Sequence, residues 1–212
     1  MPSAEAKRIL RRMAIASERD APVGSLALRY WQAVADLPMD RRRALAEIEA
    51  CFVAGAPAEG LDGRYEGRVL ATTFGPVLDA PFRWISNLWM PWKGKVLSAE
   101  RSEGRNLFAS SFTLPKRIVW PGYRDEEAAG PGMFTTYRFT TWSGPSSFTP
   151  GVATFKIDYD LPGSPRFLIR SILDEVVQIG EGVFLGQALM KWRGAFHRAA
   201  WFQLRSPAVL PR

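Results

Sequence analysis

The sequence predicts an α+β domain, with amphipathic helices first and then an antiparallel β-barrel or strongly curved sheet carrying helical inserts. Three observations point there. Apolar residues recur at helical spacing up to about residue 53, and from Leu61 onward the pattern changes to period two. The chain also carries eight Trp and thirteen Phe in 212 residues, large rings of the kind that line packed barrels and small-molecule pockets.

Taken in order, residues 3–19 place Ile9, Leu10 and Met13 at helical spacing with basic residues between them, an amphipathic helix. A second helix begins after Gly24 on Leu26, Leu28, Trp31 and Val34, and a third spans about Met39 to Val53 on Leu45, Ile48, Ala50 and Phe52. The Gly/Pro stretch 54–60 ends this section, so we divide the chain into a helical part, 1–57, packed on a barrel-like part, 58–212. "LDGRYEGRVLATTF" is a strand opened by an Asp-Gly turn signal. "MFTTYRFTTW" sets Tyr137 and Phe139 against Thr136, Arg138 and Thr140. "VATFKIDYD" sets Phe155, Ile157 and Tyr159 against Thr154, Lys156 and Asp158, a half-buried strand. "VFLGQALMKW" and "AFHRAAWFQLR", separated by Arg-Gly, form a hairpin. Val77, Phe82, Ile85, Leu88 and Trp89 give a helix-like insert stopped by Pro91, and 112–132 is a second, irregular connection.

Composition excludes several classes. One cysteine, Cys51, forbids an internal disulfide, and one histidine, His197, forbids a multi-histidine metal site. The net charge of +7 is dispersed over separate pieces without a helix-turn-helix, zinc-finger or RNA-binding signature, so nucleic acid is not an expected partner. No signal-length or membrane-spanning apolar run is visible, and the expectation is a cytoplasmic protein with at most weak membrane-surface contact through its basic first helix.

The motif "GRYEG" at 63–67, followed by "WMPWKGKVL" and "GRNLF", resembles the GxWxG-type small barrels, lipocalin-like and nitrobindin-like. It departs from them in having Tyr65 where the motif has tryptophan, and in the helices that precede it. The resemblance implies a lipocalin-like ligand-binding barrel, largely without assigned chemistry. It also raises haem ligation by His197 as a lesser alternative; no cofactor is otherwise expected.

The residues expected to line the ligand site are Tyr65, Trp84, Trp89, Trp92, Lys93, Lys95, Tyr123, Arg138, Tyr159 and Arg198. Lys93 and Lys95 stand at alternate positions, which would give them one face, either solvated or turned to an anionic group at the entrance. Arg198 shares a face by alternation with Phe196, Ala200, Phe202 and Leu204, so a carboxylate of the protein or of a ligand should meet it, unless that face points to solvent. Asp158, Arg170, Asp174 and Glu175 form the densest ionisable set. Arg170 and Asp174, four apart on a short helix after Pro165, would pair as part of an ion-pair lock. No catalytic triad order, phosphate loop or metal spacing is present. The functional expectation is binding of a small hydrophobic or amphipathic molecule, lipid-like or aromatic, in the barrel. The alternative is an isomerase or hydrolase using Asp, Glu and Tyr as acid/base groups. The two differ in one feature: binding predicts that every inward carboxylate is paired, catalysis that one is not.

Overall fold

The computed structural model describes residues 25–73, 91–166 and 168–207. The expected first helix, the insert with Val77 to Trp89, and Trp84 lie outside the described residues.

Helix α1 (Ser25–Asp36) and helix α2 (Arg41–Ala54) form an antiparallel pair, and Asp40 caps α2 by accepting from the Arg43 backbone N–H at 3.1 Å. Both helices fall where periodicity places them, but the buried face of α1 is rotated. Ala27, Tyr30 and Ala33 are buried, while Leu28 is exposed. The small alanines let the helix lie close to the wall beneath, and the Tyr30 hydroxyl reaches Gln203 Oε1 at 2.7 Å.

Among the described residues ten strands follow: β1 (Ala56–Pro57), β2 (Gly63–Thr72), β3 (Trp92–Ser98), β4 (Glu103–Ala109), β5 (Glu127–Ala128), β6 (Met133–Pro145), β7 (Ala153–Asp158), β8 (Ile172–Gly180), β9 (Val183–Trp192) and β10 (Ala195–Arg205). Eight of them close an antiparallel barrel in the order β2-β3-β4-β6-β7-β8-β9-β10, and β10 returns to pair with β2. The seam joins the two ends of the sheet through Leu204 opposite Gly67 and Trp201 opposite Ala71. Closure removes the open edges that a curved sheet would leave unpaired. The two short strands extend ladders that neighbours leave: β7 pairs with residues 173–176 of β8 and β1 with 177 and 178, while β5 pairs with the start of β6.

Two apolar clusters result. One lies inside the barrel, with Tyr65, Phe139, Ile157, Tyr159, Val176, Phe184, Phe202 and Leu204 among its members. The other lies outside the wall of β8 to β10 under the helices, where Phe52 meets the edge of Trp201 at 5.4 Å, with Tyr30, Ile48, Cys51 and Leu185 around them. Alternation along each strand produces both, since odd and even residues face opposite sides of a wall that is covered on both.

Two segments correct the sequence reading. Residues 172–180 are strand β8, not a continuation of a short helix; only a 3-10 turn, Ile169–Ser171, precedes it. The β-branched run Ile172, Val176, Val177 and Ile179 fits a strand buried on both faces. Within the irregular connection lies a short helix α3 (Thr113–Val119), which starts at the top of the barrel after a 3-10 turn that buries Phe112.

Candidate functional site

The site is built from β3 outward. The sequence alternation would put Lys93 and Lys95 on one face, yet Lys93 is exposed and Lys95 is 1% exposed inside the barrel. A β-bulge decides this. Trp92 pairs with Phe108 and Gly94 with Leu107, so Lys93 is an extra residue expelled from the ladder. Gly94 adopts φ +136°, and a Cβ there would stand 1.9 Å from the Tyr65 carbonyl oxygen. Trp92 in turn lies across Gly67 of the "GRYEG" motif, whose missing side chain its ring occupies. The motif's glycine therefore makes room for the Trp92 ring.

The Lys95 Nζ donates to Asp174 Oδ2 at 2.8 Å, to Asn106 Oδ1 at 2.9 Å and to the Tyr159 hydroxyl, which exhausts its three donors. The Tyr159 hydroxyl accepts from Asn106 Nδ2 at 3.0 Å and donates to Asp174 Oδ2 at 3.1 Å, and Trp92 Nε1 donates to Asn106 Oδ1 at 3.0 Å. Four rings surround the ammonium, Trp92, Phe139, Tyr159 and Phe202, at 5.1–5.6 Å from their centroids. Burial lowers the Lys95 pKa against the opposing pull of Asp174, and burial first, then the Asp174 charge, pushes the Tyr159 phenol well above its ordinary value. Asp174 is 5% exposed, and among the described residues its hydrogen bonds all fall on Oδ2. It is the inward carboxylate that the two functional expectations turn on, and it is paired.

A second network lies on the outer face. Glu175 accepts from Ser146 Oγ at 2.5 Å, the Ser147 backbone N–H at 2.6 Å and Gln187 Nε2 at 2.8 Å, and pairs with Lys156 at 3.1 Å. Burial alone would raise its pKa; these donors outweigh burial and hold it below the ordinary carboxylate value. Arg198 joins this network through Gln187 Oε1 at 2.8 Å and finds its carboxylate in Glu49 of α2 at 2.7 Å, its guanidinium lying over Trp201. A bulge between Arg198 and Ala200 breaks the alternation, so Arg198 faces the helices while Phe202 and Leu204 face the barrel interior.

Of the other candidates, Tyr65 is buried in the barrel, its ring edge-on to Phe184 at 5.6 Å. Trp92 and Tyr159 join Lys95, whereas Trp84 and Trp89 lie outside the described residues. Arg138 is exposed and pairs with Glu103 at 3.2 Å, because it alternates with Tyr137 and Phe139, which face inward. Arg170 does not pair with Asp174: it meets Asp160 at 2.5 Å, since Asp174 belongs to an inward position of β8. Asp158 and Arg170 border an open cleft of about 240 Å³ with Trp142, Lys156, Lys191 and Phe196. Tyr123 and Arg138 border another of about 310 Å³. His197 is exposed on β10, apart from the interior cluster.

The sequence reading missed Asn106, the fourth member of the interior polar cluster, whose only signal is an amide ahead of Leu107 and Phe108 in "GRNLF". It also missed Lys116 of α3, fully buried between Glu126 at 2.8 Å and Asp125 at 3.5 Å, over the Tyr123 ring. Asp125 collects the Tyr123 hydroxyl at 2.5 Å, the backbone N–H of bulged Tyr137 at 3.0 Å and the Thr136 hydroxyl, which locks the connection onto β6.

No family model matches the chain, and no curated protein does. Among solved structures, a crystal structure of a protein from Thermomonospora curvata is similar at 14% identity and a TM-score of 0.45, covering 82% of this chain and 95% of that one. Among the described residues no helix is long and apolar enough to cross a membrane, and no cluster of three metal-ligating side chains occurs.

Proposed function

We propose that this barrel binds a small apolar or amphipathic molecule in its interior, with the Lys95–Asp174–Tyr159–Asn106 cluster receiving the molecule's polar end. The observation that carries the reading is a charged, hydrogen-bonded cluster placed on the inner wall among aromatic rings. A buried ion pair is a weak source of stability, since apolar residues of similar volume often do as well or better. Its placement inside a closed apolar wall is better accounted for as recognition. Asp174 Oδ1 offers an acceptor to a ligand hydroxyl or amide, and a ligand carboxylate competes with Asp174 for the Lys95 ammonium. Because Asp174 is paired, the same observation weighs for binding over acid/base catalysis.

The test is native mass spectrometry of protein purified gently from its own host, with parallel titration by cis-parinaric acid, a fluorescent apolar chain ending in a carboxylate. A co-purifying mass of lipid or aromatic-metabolite size, and probe binding that is lost in Lys95→Met/Asp174→Leu, are expected. The double variant removes both charges together and so leaves no lone buried ion. An empty wild-type protein that also ignores the probe would overturn the reading.

A further inference from the structure

We infer that the α3 end of the barrel docks on an anionic lipid surface, a property that stands independently of what the interior binds. Strand directions bring α3, the β9–β10 hairpin tip and the loop before β8 to one end, where β4, β7 and β9 finish and β6, β8 and β10 begin. Helix α3 is inverted for a globular helix. Its lysine, Lys116, is wholly buried, while Leu114 is 69% exposed, Ile118 62% and Val119 is exposed beside them. Trp192, at the hairpin tip of the same end, is 61% exposed.

Isolated exposed apolar residues are ordinary, but large aliphatic side chains grouped on one turned-out helix face mark a contact surface. The charges around them say of what kind. Arg117 and Arg124 on α3 and its continuation, and Lys191 and Arg193 flanking Trp192, are exposed and have no carboxylate partner among the described residues. Most acidic groups of this end are engaged elsewhere: Asp125 and Glu126 turn onto Lys116, Glu127 onto Arg105, and Asp160 onto Arg170, while Asp158 at the end of β7 accepts from the Asp160 backbone N–H and borders the cleft that Lys191 also lines. That end therefore presents two exposed apolar groups, the α3 face and Trp192, each flanked by cations that lack a carboxylate partner among the described residues. That is the chemistry of insertion among acyl chains with anionic headgroups around it, where tryptophan favours the interface.

Cosedimentation of the full chain with phosphatidylcholine vesicles, and with vesicles of phosphatidylcholine mixed with phosphatidylglycerol, tests this. Binding to the anionic vesicles that weakens with added salt is expected. Leu114→Glu/Ile118→Glu should lower it about tenfold or more, since two buried aliphatic side chains are lost to the lipid. Arg117→Ala/Arg124→Ala should lower it for the anionic vesicles alone. Met39→Glu, an equally exposed apolar position at 68% between α1 and α2, should leave binding unchanged. The inference is overturned if the wild type stays in the supernatant with both vesicle types, or if Met39→Glu weakens binding as much as the α3 variant. It is equally overturned if the protein is a dimer in solution that Leu114→Glu/Ile118→Glu dissociates, which would make the face a contact between two copies of this chain.

Discussion

Glu175 and Lys95 are both removed from water, and the structure treats them differently. Glu175 meets four donors of the outer network, enough to hold its pKa below the ordinary carboxylate value despite burial. Lys95 has three partners, one of them charged, and burial prevails in lowering its pKa. For Glu175 the sign of the pH effect follows from a depressed folded pKa. Its contribution to stability is present above the unfolded value of about 4.3 and is lost as the pH falls through the folded one. Thermal unfolding followed from pH 6 downward should therefore show a loss of stability below that range that Glu175→Gln reduces. A variant with the same acid limb as the wild type would remove Glu175 from the account. At this scale the sequence was partly legible. Tyr159, Lys95 and Asp174 were all recognisable as unusual, but their meeting was not, because Lys95 lies 64 residues from Tyr159 and 79 from Asp174 in the chain.

At the scale of elements, bulges decide which side chains enter the barrel. Period-two reading of β3 gives Lys93 and Lys95 the same face, and the bulge beside Gly94 separates them; the bulge near Arg198 likewise revises what alternation alone predicts for β10, whereas Tyr137, Arg138 and Phe139 of β6 keep to it. Such a bulge depends on a close approach of two backbones, which leaves only a glycine as its trace in a single sequence. Gly94 is that glycine. Gly94→Ala would require both a disfavoured positive φ and a Cβ inside the contact distance of the Tyr65 carbonyl, so a loss of about 3 kcal/mol or more is expected in chemical denaturation. Wild-type stability in this variant would show that β2 and β3 do not approach as described. Helices α1 and α2 were legible because their periodicity is local. Strand β8 was misread because Arg170 and Asp174 at four-residue spacing imitate a helical ion pair.

At the scale of the molecule, the barrel depends on pairings that sequence patterns do not encode. The seam between β2 and β10 links positions near residue 67 to positions near 204, and β8 must find both β7 and β9. Loop closure of that span precedes the contacts that reward it, so folding should take milliseconds to seconds. Stopped-flow refolding checks this, and a relaxation finished within microseconds would contradict closure as the slow step.

What the sequence by itself determined is the order and kind of the elements: amphipathic helices before about residue 54, alternating strands after 61, an aromatic-rich interior, and a Gly-aromatic-Gly start to the barrel. These follow from local periodicity and backbone freedom, which each segment carries within itself. Only the tertiary structure decided that the sheet closes, that Lys95 faces Asp174, Tyr159 and Asn106 inside it, that Arg198 serves the helices through Glu49, and that α3 turns its lysine in and its leucine out. Each of those depends on the register between strands or on the pairing of charges brought from distant parts of the chain. Register is set by bulges and by closure of the whole wall, so no local segment contains it.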